Sequence, residues 1–320
     1  MSDRTDRESE PKFEFDISYG KQDVPVYRVY ATPLRGIAPI PESLFTGRDN
    51  NLLACEVGVQ VFGDDFLPAY THGDNSMIVA TDSMKNFMIR ETLAYPGATL
   101  EGLLDFLGRG FITTYPQMHT LTMTAREIPF RPAVVPDGSG GFQPGGNLFS
   151  HERGDRAIAL LALDRRGDEI AITGHDCGIV DLQLMKLTGS AFTSFVRDDY
   201  TTLPERGDRP LYVFMDVHWR YADTADMLDP ERGRYVPPEQ MRDLLAVTFD
   251  DFVSESIQHL LYEMGRRVLE RFPPLAEVRF EAQNRTRDPF GQREDDQRVK
   301  VYSDPFPAFG KLTLTMRRAG

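Results

Sequence analysis

Apolar residues along this chain follow two periodicities, which alternate in blocks. Cys55, Val57, Val59 and Val61 fall at every second position, and Leu121 and Met123 alternate with threonines, which is the spacing of strands with one buried face. Between them, "TLEGLLDFLGRGFITTYPQM" from Thr99 sets apolar residues at i, i+3 and i+4, which predicts a helix with one apolar stripe. Asp82, Thr99 and Ser256 stand where helix N-caps belong, and Pro238 suits a first helical turn.

The blocks recur. "SIQHLLYEMGRRVLERFPPL" from Ser256 lies 157 positions after the Thr99 segment and aligns Leu103 with Leu260, Gly108 with Gly265, Arg109 with Arg266 and Pro116 with Pro273. At the same distance "MKNFM" from Met84 falls on "MRDLL" from Met241, and near the start of each block a distance of 158 lays "VPVYRVYAT" from Val24 onto "LQLMKLTGS" from Leu182. Each copy reads as two strands, two helices and two strands. The predicted fold is α+β: a duplicated ββααββ plan over residues 13–167 and 168–320, behind a flexible tail of residues 1–12, with antiparallel sheets carrying helices on one face. "PDGSGGFQPGGN" from Pro136 reads as a surface loop inserted between the last two strands of the first copy, and "DRRGD" from Asp164 as a hairpin turn at the junction. Bare strand edges call for partners, so a homo-oligomer joining sheets edge to edge is expected.

Composition narrows the function. With 320 residues and 41% hydrophobic content the chain can bury two ordinary cores, and a net charge of -13 offers no basic face for phosphate backbones. Neither nucleic acid nor an anionic membrane is an expected partner. Two cysteines are too few for a disulfide framework, the start has no basic and apolar leader, and no apolar window is long enough to span a membrane. A cytoplasmic enzyme or binding protein acting on a small molecule is the expectation.

Local motifs yield little chemistry. "GHDCG" gathers His175, Asp176 and Cys177, yet nucleophile and base are normally distant in sequence, so a loop entering a strand is the preferred reading. Asp216 and His218 would share a strand face without the third and fourth ligands a metal needs, and hydrogen-bonded strand residues are expected. The Gly-rich stretch lacks the lysine and helix of a phosphate loop.

A wider set of segments is more informative. "YGK" at Tyr19, "GDNSMIVATDSMKN" from Gly73, "SAFTSFVRDDYTTLPERGDRP" from Ser190, "SIQ" at Ser256 and "QN" at Gln283 together resemble the urate oxidase family in its bacterial form. The resemblance implies a tandem of tunnelling-fold (T-fold) domains, assembled as a homotetramer into a barrel-like tunnel with sites between subunits. It implies oxidation of urate by O2 to 5-hydroxyisourate and H2O2 with no metal or organic cofactor. By the same resemblance Lys21 and Thr81 form the proton relay. A free lysine titrates near 10.4, so the relay calls for surroundings that favour the neutral amine. Phe192 matches the stacking position, Arg209 the forked guanidinium, Gln258 the amide that both donates and accepts, and Ile257 a backbone contact. Asp82 is placed to give its backbone N–H, and Asn284 to face O2 with Thr81. Lys21 and Thr81 are expected from one chain and Phe192, Arg209, Ile257, Gln258 and Asn284 from another. No copy of the Arg209 neighbourhood is evident in the first half, so the two halves are expected to meet the ligand with different residues. Two other readings keep the fold: a purine-binding scaffold without catalysis, and an enzyme acting on another purine or a pterin.

Where many members of the family carry a relay histidine, this chain has Thr286. A hydroxyl can pass a proton but cannot hold one as an imidazole does. If Thr286 completes the relay, Thr286→Val abolishes O2 turnover while a urate analogue still binds; an unchanged pH–rate profile removes Thr286 from the relay.

Overall fold

The computed structural model describes residues 13–152, 154–285, 287, 289–303 and 307–319, so the predicted tail and Thr286 lie outside the described residues. Strands β1 (Ser18–Val29) and β2 (Leu52–Phe62) lead through a short α1 (Leu67–Thr71) to helices α2 (Thr81–Thr92) and α3 (Leu100–Thr114). Then come β3 (Thr120–Glu127), a hairpin of β4 (Phe130–Pro136) and β5 (Phe142–His151), and β6 (Arg156–Arg166). The second half runs β7 (Glu169–Lys186), β8 (Leu211–Tyr221), α4 (Ala225–Leu228), α5 (Pro238–Asp251), α6 (Ile257–Arg271) and β9 (Leu275–Asn284). It ends with a hairpin of β10 (Pro289–Gln292) and β11 (Lys300–Tyr302), then β12 (Gly310–Arg317).

Eight strands form one antiparallel sheet in the order β1-β2-β3-β6-β7-β8-β9-β12, and it is not closed within the chain. Strand alternation explains its single core: Val57, Val59, Val61, Leu121, Met123, Val217 and Phe280 all point to one face. There they meet Leu103, Leu104 and Phe111 of α3 and Leu260, Leu261 and Met264 of α6. Close approach is built in at Gly108, where a Cβ would stand 2.9 Å from Leu163 Cδ1.

Several local expectations hold. Thr99 Oγ1 accepts from Gly102 N and Ser256 Oγ from His259 N, both at 3.1 Å, so each caps its helix. The Arg166 to Glu169 step is a tight hairpin turn with Gly167 in the left-handed region. Others are corrected. Asp82 is not an N-cap: that position is Ala80, Thr81 is the first helical residue, and the Asp82 carboxylate turns to Lys85 and Asn86 along the helix. The Gly-rich stretch is not a plain loop, because Asp137 accepts from Ser139 N and Gly141 N and closes a turn whose flanks pair as β4 and β5. "GHDCG" lies inside β7 rather than before it, paired with β6 on one side and with β8 over its last residues.

The halves correspond in backbone detail. A bulge between Lys21 and Val24 in the β1–β2 pair recurs between Ile179 and Leu182 in the β7–β8 pair, 158 residues on, and the left-handed residues Asp23 and Asp181 sit inside these bulges. The isolated bridge Leu34↔Arg48 recurs at the same distance as Phe192↔Arg206. That correspondence corrects the expectation that the Arg209 neighbourhood has no copy. What is shared there is main-chain pairing, which leaves side-chain identity free to vary and therefore hard to see in sequence.

Within the chain, the segment carrying the Leu34–Arg48 bridge docks onto α5. Arg48 Nη1 pairs with Glu239 at 2.7 Å, the Gln240 amide donates to the carbonyls of Ala38 (2.8 Å) and Phe45 (3.0 Å), and Ser43 bonds Asp243. Beside this junction is a cavity of about 410 Å³ whose lining includes Asn51, Leu100, Glu101, Glu127, Pro238 and Glu239. Glu101 is buried, accepts from Tyr235 Oη at 3.1 Å, and burial holds its carboxyl pKa above the usual value. A carboxyl with a raised folded-state pKa contributes most below its unfolded value, and that contribution is lost as pH rises through the folded one. At neutral pH the raised value therefore makes the Glu101 carboxyl a net cost. Glu101→Gln should raise the melting temperature at neutral pH by roughly 2 °C per kcal/mol gained, and the gain should vanish as pH falls toward 4.5; a variant less stable at neutral pH would contradict this.

Candidate active site

Lys21 lies on β1 opposite Val59, at the start of the bulge. The preceding Gly20 is required by close approach, since a Cβ there would stand 1.9 Å from the Val59 carbonyl oxygen. Tyr19 Oη, two residues before Lys21 and so on the same face, accepts from Val79 N at 3.1 Å and ties the entry of α2 to β1. This tether brings exposed Thr81 and Asp82 to the Lys21 end of the strand. The Asp82 carboxyl is held below its ordinary value, first by the hydrogen bond and charge of Lys85 and further by Lys21, which places Lys21 within electrostatic reach. The unpaired N–H groups of the first turn of α2 give this end of the helix partial positive character.

The remaining predicted residues gather elsewhere. Phe192 and Arg206 exchange main-chain bonds of 2.8 and 3.0 Å, Arg209 N donates to Ser190 O at 2.8 Å, and Ala191 N donates to Ser254 O at 2.8 Å. These bonds bring Phe192 and Arg209 beside the start of α6, where Ile257 is buried and Gln258 is exposed in the first turn. The Arg209 guanidinium stands 5.4 Å from the centre of the Phe192 ring, which in turn stacks on Phe195 at 4.9 Å. Asn284 ends β9, opposite Val213 of β8 and Gly310 of β12. The result is an aromatic face, a forked cation, an amide and a helix N-terminus on one side of the molecule.

A single chain does not bring the two groups together. β1 and β9 are the first and seventh strands of the sheet, and six spacings of about 4.8 Å separate them by about 29 Å. Six of the corresponding residues of the other half do converge. Positions 157 or 158 residues from Arg209, Ile257, Gln258, Asn284, Thr81 and Asp82 are Asn51, Leu100, Glu101, Glu127, Pro238 and Glu239, and all six line the junction cavity.

The local motifs are occupied structurally. His175 Nε2 accepts from Tyr221 N at 2.9 Å, His218 pairs with Asp176 at 2.6 Å, and Asp216 accepts from Asp181 N at 2.8 Å. Cys177 is buried on the helix-bearing face, where burial pushes its thiol well above the usual range and away from thiolate chemistry. Among the described residues no three of His, Cys, Asp and Glu group as metal ligands, and no helix is long and apolar enough to cross a membrane. Sequence reading passed over Arg206, although its place 158 residues after Arg48 would have marked it.

The uricase family profile matches residues 17–156 and 175–305. The chain is 49% identical to the uricase of Haloferax volcanii, over 84% of this chain and 88% of that one. It is 46% identical to the uricase of Halalkalicoccus jeotgali, over 95% of this chain and 98% of that one. The crystal structure of the urate oxidase of Bacillus sp. TB-90 superposes with a TM-score of 0.91 at 40% identity, covering 95% of this chain and all of that one. Matched over most of its length in both sequence and fold, the chain belongs to the uricase family.

Proposed function

We propose that this chain is a cofactor-independent urate oxidase, converting urate, O2 and H2O to 5-hydroxyisourate and H2O2 in purine degradation. It is read as a tandem of T-fold domains, residues 13–167 and 168–320, acting in the cytoplasm as a homotetramer that closes its sheets into a tunnel. The observation that carries the intersubunit site is the junction cavity: the counterparts of Arg209, Ile257, Gln258, Asn284, Thr81 and Asp82 meet around one space within the chain, whereas β1 and β9, which carry Lys21 and Asn284, stand about 29 Å apart along the sheet. A second subunit supplies the missing half. The sheet is open at β1 and β12, and both edges offer unpaired main-chain groups for that union.

In this site Phe192 stacks on the flat urate anion, Arg209 bonds two of its acceptors, and the Gln258 amide reads an adjacent donor and acceptor. The main chain of Ile257 and, from the other subunit, Asp82 N–H complete the planar contacts. Lys21 draws a proton through the Thr81 hydroxyl, which raises the electron density of the purine ring. Asn284 and Thr81 hold O2, and later water, over that ring. Two electrons leave urate for O2, water supplies the new hydroxyl, and the protons released complete H2O2.

Purified, chelator-treated protein should remove the ultraviolet absorbance of urate with matching O2 uptake and peroxide release. Lys21→Met should lower kcat by about 10²–10⁴-fold with analogue binding retained. Mixing Lys21→Met chains with Arg209→Met chains, each inactive alone, should restore about one quarter of wild-type sites after random reassembly. Urate that binds and persists would reject catalysis, and no recovery on mixing would reject the shared site.

A further inference from the structure

Arg206 takes no part in the chemistry above, yet its main-chain setting is that of Arg48. The bridges Leu34↔Arg48 and Phe192↔Arg206 enclose loops of equal length, and Gly36 and Ser194, again 158 residues apart, are both left-handed. The first loop has a place to dock: α5, through Arg48 and Glu239. Among the described residues the second loop makes no hydrogen bond or ion pair to α2 of its own chain, and Val196 and Tyr200 on it are 89% and 91% exposed.

The counterpart of α5 is α2, which starts 157 residues earlier, and the residue of α2 matching Glu239 is Asp82. Arg48 and Glu239 thus correspond to Arg206 and Asp82, with both charge signs preserved. Asp82 is exposed, and its carboxylate, although bonded to Lys85 and Asn86, has accepting capacity left for a forked cation. One further contact of the docked loop translates into a compatible pair: Ser43 with Asp243 becomes Thr201 with Asn86.

We propose that Arg206 of one subunit pairs with Asp82 of the partner subunit, the interchain counterpart of the Arg48–Glu239 pair, and so sets the position of Thr81 at the start of the partner's α2. Arg206 is then a positioning residue. It joins the Phe192 side of the site to the Thr81 side, because Phe192 is its main-chain partner and Asp82 follows Thr81. This inference rests on the proposed intersubunit site and adds the contact that aligns its two sides.

The test is a pair of measurements on the full-length protein. Cys55 and Cys177 are buried, so in an Arg206→Cys/Asp82→Cys chain the introduced thiols are the reactive ones. A short bismaleimide should give a covalent dimer of twice 36.3 kDa, and neither single variant should. Arg206→Gln should sediment as the wild-type oligomer and bind a urate analogue normally, with kcat lowered about tenfold and largely restored in Arg206→Lys. An intact, active oligomer that does not cross-link, or full kcat in Arg206→Gln, overturns the pairing and leaves the shared site standing. A monomeric wild-type protein overturns both.

Discussion

The spacing of strands in a sheet is the constraint on which this molecule depends. Hydrogen-bond length fixes that spacing at about 4.8 Å, so a residue on the first strand and one on the seventh cannot share a small ligand while the sheet stays open. β1 and β9 hold those places here, with Lys21 on one and Asn284 on the other. Any site using both must come from a second sheet, and the bare edges at β1 and β12 are where such a sheet can join. In the proposed site, chemistry and assembly become one problem, because the edges that leave backbone groups unpaired are also where a second subunit would complete it.

The chain contains its own example of the solution. Where β6 meets β7, the first half docks on the second, and a loop carrying Arg48 closes on α5 through Glu239. The surrounding cavity is lined by Glu101 and Glu127 where the proposed catalytic side carries Gln258 and Asn284. These differences alter the chemistry without altering the frame. Glu101 sits under a buried network with Tyr235, and Glu127, which burial alone would push up, is held below the usual carboxyl range by Arg131, Arg242 and a main-chain N–H. Inside this junction Glu239 and Glu127 are matched by arginines, while Glu101 is left with the Tyr235 hydroxyl. The proposed catalytic side instead presents neutral amides and one forked cation, which suits a ligand that is itself a planar anion.

Much of the frame was legible because it is written in periodicity. The i, i+3, i+4 stripes of α3 and α6 share fifteen-residue lengths and matching caps at Thr99 and Ser256, and the alternation in β2 and β3 marks the buried face. Asp82 was misread because an acidic residue at a helix start is as suited to the first turn as to the cap, and only the backbone angles of Ala80 separate the two. The Gly-rich stretch misled because glycine content signals turns, whereas Asp137 closes a turn compact enough for its flanks to pair as strands. The copy of the Phe192 loop escaped notice because Leu34 and Phe192 share a main-chain bridge and not a side-chain chemistry.

The sequence by itself determined the strand and helix plan, the near-exact recurrence at 157 and 158 positions, and through its scattered motifs the likeness to urate oxidases. These are properties of spacing and residue type, which survive without coordinates. Only the tertiary structure decided that Phe192 and Arg209 stand beside the start of α6, that His175, Asp176 and Cys177 are committed to strand packing, and that Lys21 and Asn284 lie on the first and seventh strands of one sheet. Which strands lie side by side depends on long-range pairing and burial, and the side chains that carry chemistry leave no periodic trace of it along the chain.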